Sequence, residues 1–84
     1  MINNKIKKKQ IIYRSSHRGT KEMDLLLGKF VKKYIDTFTD KDLYNLEEIL
    51  LMDDNLIQKW YSDKKTNDLI PLNLVSKKLK KFRL

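Results

Sequence analysis

The sequence predicts an all-α protein, a small antiparallel bundle of four to five short helices that forms one domain over residues 1–84. Apolar residues recur along most of the chain at the three- and four-residue spacing of one helix face. The chain has only two glycines and one proline, too few for the many turns of a β fold. It has no cysteine, so disulfides and thiolate metal sites are excluded and the fold depends on apolar packing.

The first predicted helix spans residues 5–16 and is strongly basic. Its apolar stripe is thin, formed by Ile6, Ile12 and Tyr13. A motif turn at residues 17–20 follows, inside the stretch HRGTKEMD.

The central helix, predicted at residues 20–37, has the clearest amphipathic pattern. Thr20 is its candidate N-cap, and Glu22 and Asp24 in the first turn interact favourably with the helix dipole. The apolar face comprises Met23, Leu26, Leu27, Phe30, Val31, Tyr34, Ile35 and Phe38. This continuous face predicts that the helix lies at the centre of the bundle.

Three shorter helices complete the prediction, at residues 40–52, 54–61 and 70–83. Thr39 and Asp42 have the spacing of a capping box before the first of these. Pro71 falls in the first turn of the last, where proline is tolerated. Their inner faces are marked by Leu43, Leu46, Ile49 and Leu50, by Leu56, Ile57, Trp60 and Tyr61, and by Leu72, Val75, Leu79 and Phe82.

The net charge of +8 is concentrated at the two ends of the chain. Residues 1–21 carry seven bases and no acid, residues 22–68 carry seven bases against eleven acids, and residues 69–84 carry five bases and no acid. One interpretation is a pair of solvated basic ends. The alternative function is a small nucleic-acid-binding regulator, whose phosphate surface would comprise Lys5, Lys7, Lys8, Lys9 and the terminal lysines.

Gly19 lies in the motif turn, and Gly28 lies in the central helix that follows it. Gly19 has two open interpretations: it ends the first helix in a left-handed conformation, or its missing side chain lets a partner's backbone come close. Gly28 projects away from the apolar stripe by helical periodicity, and so does Leu25. Together they indicate a partner-facing surface, and Arg14 lies near it, four residues before Arg18.

Little in the sequence points to catalysis. His17 is the only histidine, and using it to activate Ser15 or Ser16 would require adjacent residues on one helix turn to face each other. Glu22 and Asp24 are separated by about 200° on a helix and cannot share a proton. We therefore expect no catalytic or metal-binding residue and no enzyme activity.

Two blocks of the sequence resemble a known family. RGTKEMD, which begins at Arg18, matches the Arg-Gly-x-x-Glu-x-Asp signature of the succinate dehydrogenase assembly factors, which promote covalent attachment of FAD to the flavoprotein subunit. LLMDDNLIQKWY resembles the family's second block, in which paired acids, here Asp53 and Asp54, precede a tryptophan, here Trp60. The resemblance covers residues 12–80.

The sequence departs from the family pattern at two positions. His17 stands where another basic residue is usual, which weakens the basic patch near neutral pH. Asn55 replaces a common proline after the acidic pair, which changes how the fourth helix begins.

The resemblance implies a helical binding module that acts on another protein. It would dock the flavoprotein subunit of succinate dehydrogenase, with fumarate reductase as a further candidate client, and hold it in a form in which FAD reacts with the subunit's own histidine. The FAD would belong to the client, so this chain would have no cofactor of its own. Membrane insertion and nucleic-acid binding are not expected.

The resemblance and the outward-facing residues together predict a client-facing set: Arg14, Arg18, Gly19, Glu22, Asp24 and Leu25. Arg18 would anchor a carboxylate or carbonyl of the client, Glu22 would orient Arg18 or bind the client, and Asp24 would bind or stiffen the turn. Structural roles are expected for Asp53, Asp54 and Trp60.

The expected location is the bacterial cytoplasm. No apolar stretch reaches the about 20 residues that cross a bilayer. The N-terminal residues lack the apolar core of about 7–15 residues that a secretion signal needs, and no transit peptide is evident.

Overall fold

The computed structural model describes residues 4–63 and 69–84. Within these ranges the chain folds into five α-helices and no strand, which confirms the all-α prediction. The elements are α1 (Asn4–Ser16), α2 (Lys21–Tyr34), a 3₁₀ turn (Ile35–Thr37), α3 (Asp40–Leu50), α4 (Asp54–Ser62) and α5 (Leu74–Lys81). The main helix contacts are α1 with α2, α1 with α3, and α3 with α5.

Side-chain caps fix where α2 and α3 begin. The Thr20 hydroxyl accepts a hydrogen bond from the Met23 amide at 3.2 Å, which confirms Thr20 as the N-cap of α2. Thr39 and Asp42 form the predicted capping box: the Asp42 amide donates to Thr39 Oγ1 at 3.2 Å, and the Thr39 amide donates to Asp42 Oδ2 at 3.1 Å. Local chemistry therefore sets both boundaries.

Three helices are shorter than the sequence suggested, and of these α3 ends at Leu50 instead of residue 52. The α-helical part of α2 ends at Tyr34, and residues 35–37 continue as a tighter 3₁₀ turn, a common way for a helix to end. The last helix begins at Leu74 because Asn73 and Ser76 cap each other, with both amide-to-side-chain distances at 2.9 Å. Pro71 therefore precedes the helix instead of lying in its first turn.

The core is centred on the apolar face of α2. Every predicted member of that face is buried except Tyr34, which is half-buried. Phe30 is fully buried and its ring packs against Tyr34, Phe38 and Phe82, with centroid separations of 5.2, 6.2 and 5.5 Å. Trp60 from α4 is also buried, with 5% of its surface exposed.

The first helix buries a different face from the predicted one. Ile6 and Tyr13 are exposed by 56% and 62%, whereas Ile11 and Ser15 are fully buried. Ile11 and Ser15 are four residues apart, so they lie on one helix face. Because one of these two buried residues is a serine, the face has too few apolar residues to be recognised in the sequence.

None of the helices in the two described ranges is long and apolar enough to span a membrane.

Candidate functional site

The motif turn between α1 and α2 is tied to the connection between α3 and α4 through Arg18. Its side chain is only 9% exposed, and its Nε donates to Asp54 Oδ1 at 2.7 Å. Nη1 donates to the Leu50 carbonyl at 2.5 Å and Nη2 donates to the Met52 carbonyl at 2.9 Å. The guanidinium therefore satisfies carbonyls at the end of α3, where a helix leaves its last carbonyls without partners.

Asp54 joins the two connections with both of its carboxylate oxygens. Oδ1 accepts from Arg18 Nε, and Oδ2 accepts from the Gly19 amide at 2.7 Å. The Asp54 side chain is 16% exposed, and charge-assisted bonds at these distances are among the stronger ones in proteins. We call the set of Arg18, Gly19 and Asp54 the acid bracket.

The backbone conformation of Gly19 does not call for glycine, but the space around its Cα is tight. Its φ is not positive, so the interpretation of Gly19 as a left-handed helix end is wrong. A Cβ at this position would lie 3.2 Å from Asp54 Oδ2, tighter than an ordinary van der Waals contact. The missing side chain does permit a close approach, and the group that approaches is the chain's own carboxylate.

Asp24 closes the turn from the other side. Its Oδ1 accepts a hydrogen bond from the Arg18 amide, and its side chain is half-buried. This contact agrees with the expectation that Asp24 stiffens the turn.

Glu22 faces outward beside α4. Its carboxylate accepts from Gln58 Nε2 at 3.0 Å, so the expectation that it orients Arg18 is not met: Arg18 is held by Asp54 and the two carbonyls. Glu22 also lines a pocket of about 200 Å³ together with Met23, Leu26 and Tyr61. It is therefore the carboxylate of the motif that a partner could reach.

The other predicted surface residues divide into two groups. Arg14 is exposed and Leu25 is 44% exposed, so both face solvent as expected. The outward placement predicted for Gly28 is wrong, because Gly28 is buried and packs against Ser16 of α1.

We expect Gly28→Ala to raise the free energy of unfolding by about 0.5–1 kcal/mol, since glycine is unfavourable inside a helix. The new Cβ would lie 3.6 Å from Ser16 Cβ, an ordinary packing distance. Urea unfolding followed by circular dichroism measures the change, with Gly28→Val as the comparison that overfills the contact. Destabilisation by both variants would contradict this packing.

The described residues show neither a metal site nor a nucleophile activated by a base. They contain no group of three or more histidine and carboxylate residues that could hold a metal ion. His17 Nδ1 lies 2.8 Å from the Tyr13 carbonyl, which can only accept, so Nδ1 carries the proton. The Ser16 hydroxyl lies 3.3 Å from His17 Nδ1 but donates to the Ile12 carbonyl at 3.0 Å. A protonated Nδ1 cannot accept the hydroxyl proton, so this pair is not a nucleophile with its base.

The basic ends of the chain have partners within the chain. Lys7 Nζ lies 2.9 Å from a carboxylate oxygen of Glu47. Lys80 donates to the Trp60 carbonyl and its ammonium lies 4.6 Å from the centre of the Trp60 ring. Part of the surface invoked by the nucleic-acid interpretation is therefore used in packing.

The family model described as flavinator of succinate dehydrogenase matches residues 9–83. The chain belongs to this family. The match includes the motif turn and the acid bracket, and it confirms the resemblance inferred from the two sequence blocks.

Curated relatives agree with this assignment. The chain is 39% identical over 54 residues to the FAD assembly factor SdhE of Acetobacter pasteurianus, covering 64% of this chain and 50% of that protein. It is 40% identical over 67 residues to the mitochondrial succinate dehydrogenase assembly factor 2 of Scheffersomyces stipitis, covering 80% and 44%. It is 38% identical over 66 residues to the protein of the same name from Meyerozyma guilliermondii, covering 79% and 47%.

The chain spans about half the length of these curated relatives. No solved structure gives a significant match. The family and the named relatives do not support the nucleic-acid alternative.

Sequence reasoning missed Gln58 and the carbonyl acceptors of Leu50 and Met52. It also assigned Asp54 only a general structural role. A usable signal was present, because Asp53 alone suffices to cap α4, its Oδ1 accepting from the Asn55 amide at 2.8 Å. Asp54, the second acid of the pair, is therefore not needed to cap α4, which indicates a contact elsewhere in the fold.

Proposed function

We propose that this chain is an assembly factor that binds the flavoprotein subunit of succinate dehydrogenase and promotes covalent attachment of FAD to it. The observation that carries the proposal is the family match over residues 9–83, which includes the whole motif turn. The names of the bacterial and yeast relatives support the same role.

The proposed docking surface consists of Glu22, Gly19, Leu25 and Arg14. Glu22 is the exposed acid of the motif, and its carboxylate has a second oxygen that can accept a hydrogen bond from the client. Leu25 adds an apolar contact beside it. Arg18 and Asp24, which the sequence also assigned to the client, contribute by holding the turn.

The FAD is assigned to the client. The pocket beside Glu22 has about 200 Å³, below the about 300–1,000 Å³ of typical ligand sites, so this pocket is not proposed as a site for FAD. In the proposed mechanism the chain binds the flavoprotein subunit better in the form competent for FAD attachment than in the incompetent form, which shifts the population toward the first. The chain supplies binding and orientation, and the attachment chemistry remains that of the cofactor and its own subunit.

Co-expression of the flavoprotein subunit with and without this chain tests the proposal. Flavin fluorescence that survives denaturing electrophoresis reports covalent FAD, and we expect a strong band only when the chain is present. Equal fluorescence in both samples would refute the assembly role. The flavoprotein of fumarate reductase, assayed in the same way, tests the further client.

A matched pair of variants tests the docking surface. Glu22→Gln removes the exposed carboxylate of the motif and is expected to reduce the covalent flavin band. Glu48→Gln makes the same change at an exposed position on α3 and is expected to leave the band unchanged. Equal bands from the two variants would show that the surface at Glu22 does not contact the client.

A further inference from the structure

The acid bracket connects two parts of the chain that the sequence treats separately. Asp54 lies 36 residues after Arg18 and 35 after Gly19. Its two oxygens accept from one side-chain donor and one backbone donor of the same turn. One carboxylate thus fixes both the guanidinium that enters the fold and the backbone of the residue at the surface.

We propose that Asp54 is a positioning residue for client binding: it holds the Gly19 backbone, and through it the start of α2 with Glu22, in the geometry that the client recognises. This inference rests on the proposed function. It gives a residue of the second sequence block a part in client binding, although Asp54 lies at the start of α4 and is not itself part of the docking surface.

The turn needs such support because glycine has the most backbone freedom of any residue. Without the bond to Asp54, the exposed Gly19 would have to be ordered when the client binds, and ordering on binding weakens affinity. The bracket orders Gly19 in the free chain. Binding then requires less rearrangement of the surface around Glu22.

The chemistry of the bracket requires a carboxylate. Two N–H donors approach the two oxygens of Asp54, each at 2.7 Å. Asparagine has the same shape but offers one oxygen and one NH₂ group, so one donor would face another donor. Asp54→Asn is therefore a near-isosteric change that breaks one arm of the bracket.

Asp53 provides a matched control. It is exposed and caps α4 through its Oδ1, and asparagine is an equally good N-cap. Asp53→Asn therefore removes the same charge one residue away while preserving the helix cap. Glu22→Gln serves as a second comparison that changes a proposed contact and leaves the bracket intact.

The experiment combines two measurements on the full chain. Amide hydrogen exchange by NMR reports the Gly19 N–H in the free chain, and only two glycine signals need assignment. Titration with the flavoprotein subunit reports Kd. For Asp54→Asn we expect faster exchange at Gly19 and a Kd weakened about 10-fold, the change produced by ordering about one residue on binding. If exchange at Gly19 is unchanged, the asparagine oxygen has kept the Gly19 bond. Asp54→Ala, which keeps neither oxygen, must then give both effects, and their absence would overturn the inference.

The controls separate positioning from contact and from charge. Asp53→Asn should leave both measurements unchanged, whereas Glu22→Gln should weaken Kd without altering exchange at Gly19. The inference is overturned if Asp54→Asn exposes the Gly19 amide yet binds as tightly as the unmodified chain, or if Asp53→Asn weakens binding equally.

Two further results are also decisive. If the unmodified chain does not bind the flavoprotein subunit, the proposed function fails, and with it the role of Asp54 in client binding, while the exchange comparison still shows whether Asp54 orders the turn. If Asp54→Asn loses helical circular dichroism, Asp54→Glu replaces it, because glutamate keeps both oxygens but moves them by one methylene. An unchanged Kd for a folded Asp54→Glu would overturn the inference, and a weakened Kd would support it.

Discussion

Replacing Arg18 by methionine is expected to lower the free energy of unfolding by about 3 kcal/mol, the low end of the range for breaking a buried ion pair. The change leaves Asp54 without its cation and the carbonyls of Leu50 and Met52 without their donors. The loss stays at the low end because the Asp54 side chain remains 16% exposed and can be partly rehydrated. The total free energy of unfolding of a domain of this size is only about 4–13 kcal/mol.

Urea unfolding of the unmodified chain and four variants tests this prediction. Arg14→Met makes the same substitution at an exposed arginine and should change stability by less than about 0.5 kcal/mol. The double variant Arg18→Met with Asp54→Asn should lose less than the sum of the two single changes, with a coupling energy of about 0.5–3 kcal/mol. Equal losses for Arg14→Met and Arg18→Met would show that the Arg18 contacts contribute nothing specific.

Replacing Phe30 by alanine is expected to lower the free energy of unfolding by about 3–5 kcal/mol. A large fraction of the chain should then be unfolded at 37 °C. Phe30 is fully buried, and its ring meets three other aromatic rings contributed by α2, the segment after the 3₁₀ turn and the C-terminal residues. Truncation removes these contacts and opens a cavity where three separate segments converge. The surrounding helices can collapse into it only in part.

Thermal unfolding followed at 222 nm, the usual wavelength for helical circular dichroism, measures the effect. Tyr44→Ala is the control, because Tyr44 is 57% exposed on α3 and surface substitutions change stability by about 0.5 kcal/mol or less. A cooperative transition of Phe30→Ala at the temperature of the unmodified chain would contradict the central position assigned to Phe30.

The parts of the fold that depend on local chemistry could be predicted from the sequence. The apolar face of α2 is continuous, so its burial follows from periodicity alone. Thr20 and Thr39 cap helices through bonds that span three residues, and such caps are visible in a short window of sequence. The start of α5 was missed because Pro71 was given more weight than the reciprocal bonds of Asn73 and Ser76.

Packing on a second face could not be predicted in the same way. Gly28 lies off the main apolar stripe of α2, yet it is buried because α1 crosses there at Ser16. A helix in contact with neighbours on two sides buries two faces, and a glycine or serine face carries no hydrophobic signal. The same limitation hid the buried face of α1 at Ser15.

The orientation of Arg18 also depends on tertiary structure. A charged residue in a turn is expected to face solvent, and nothing within several residues of Arg18 indicates otherwise. Its partners come from a connection more than thirty residues away. The motif and its family could be recognised in the sequence. Which residues of the motif hold the turn and which face outward could be seen only in the folded structure.

The acid bracket also bears on the timescale of motion. Its two bonds join residues 35 and 36 positions apart, whereas the helix caps close within a few residues. Contacts between distant residues carry a loop-closure entropy cost and tend to form late in folding. An interaction absent from the transition state slows unfolding without accelerating folding. We therefore expect the bracket to slow global unfolding, so that Arg18→Met raises the unfolding rate of the chain more than it lowers the folding rate.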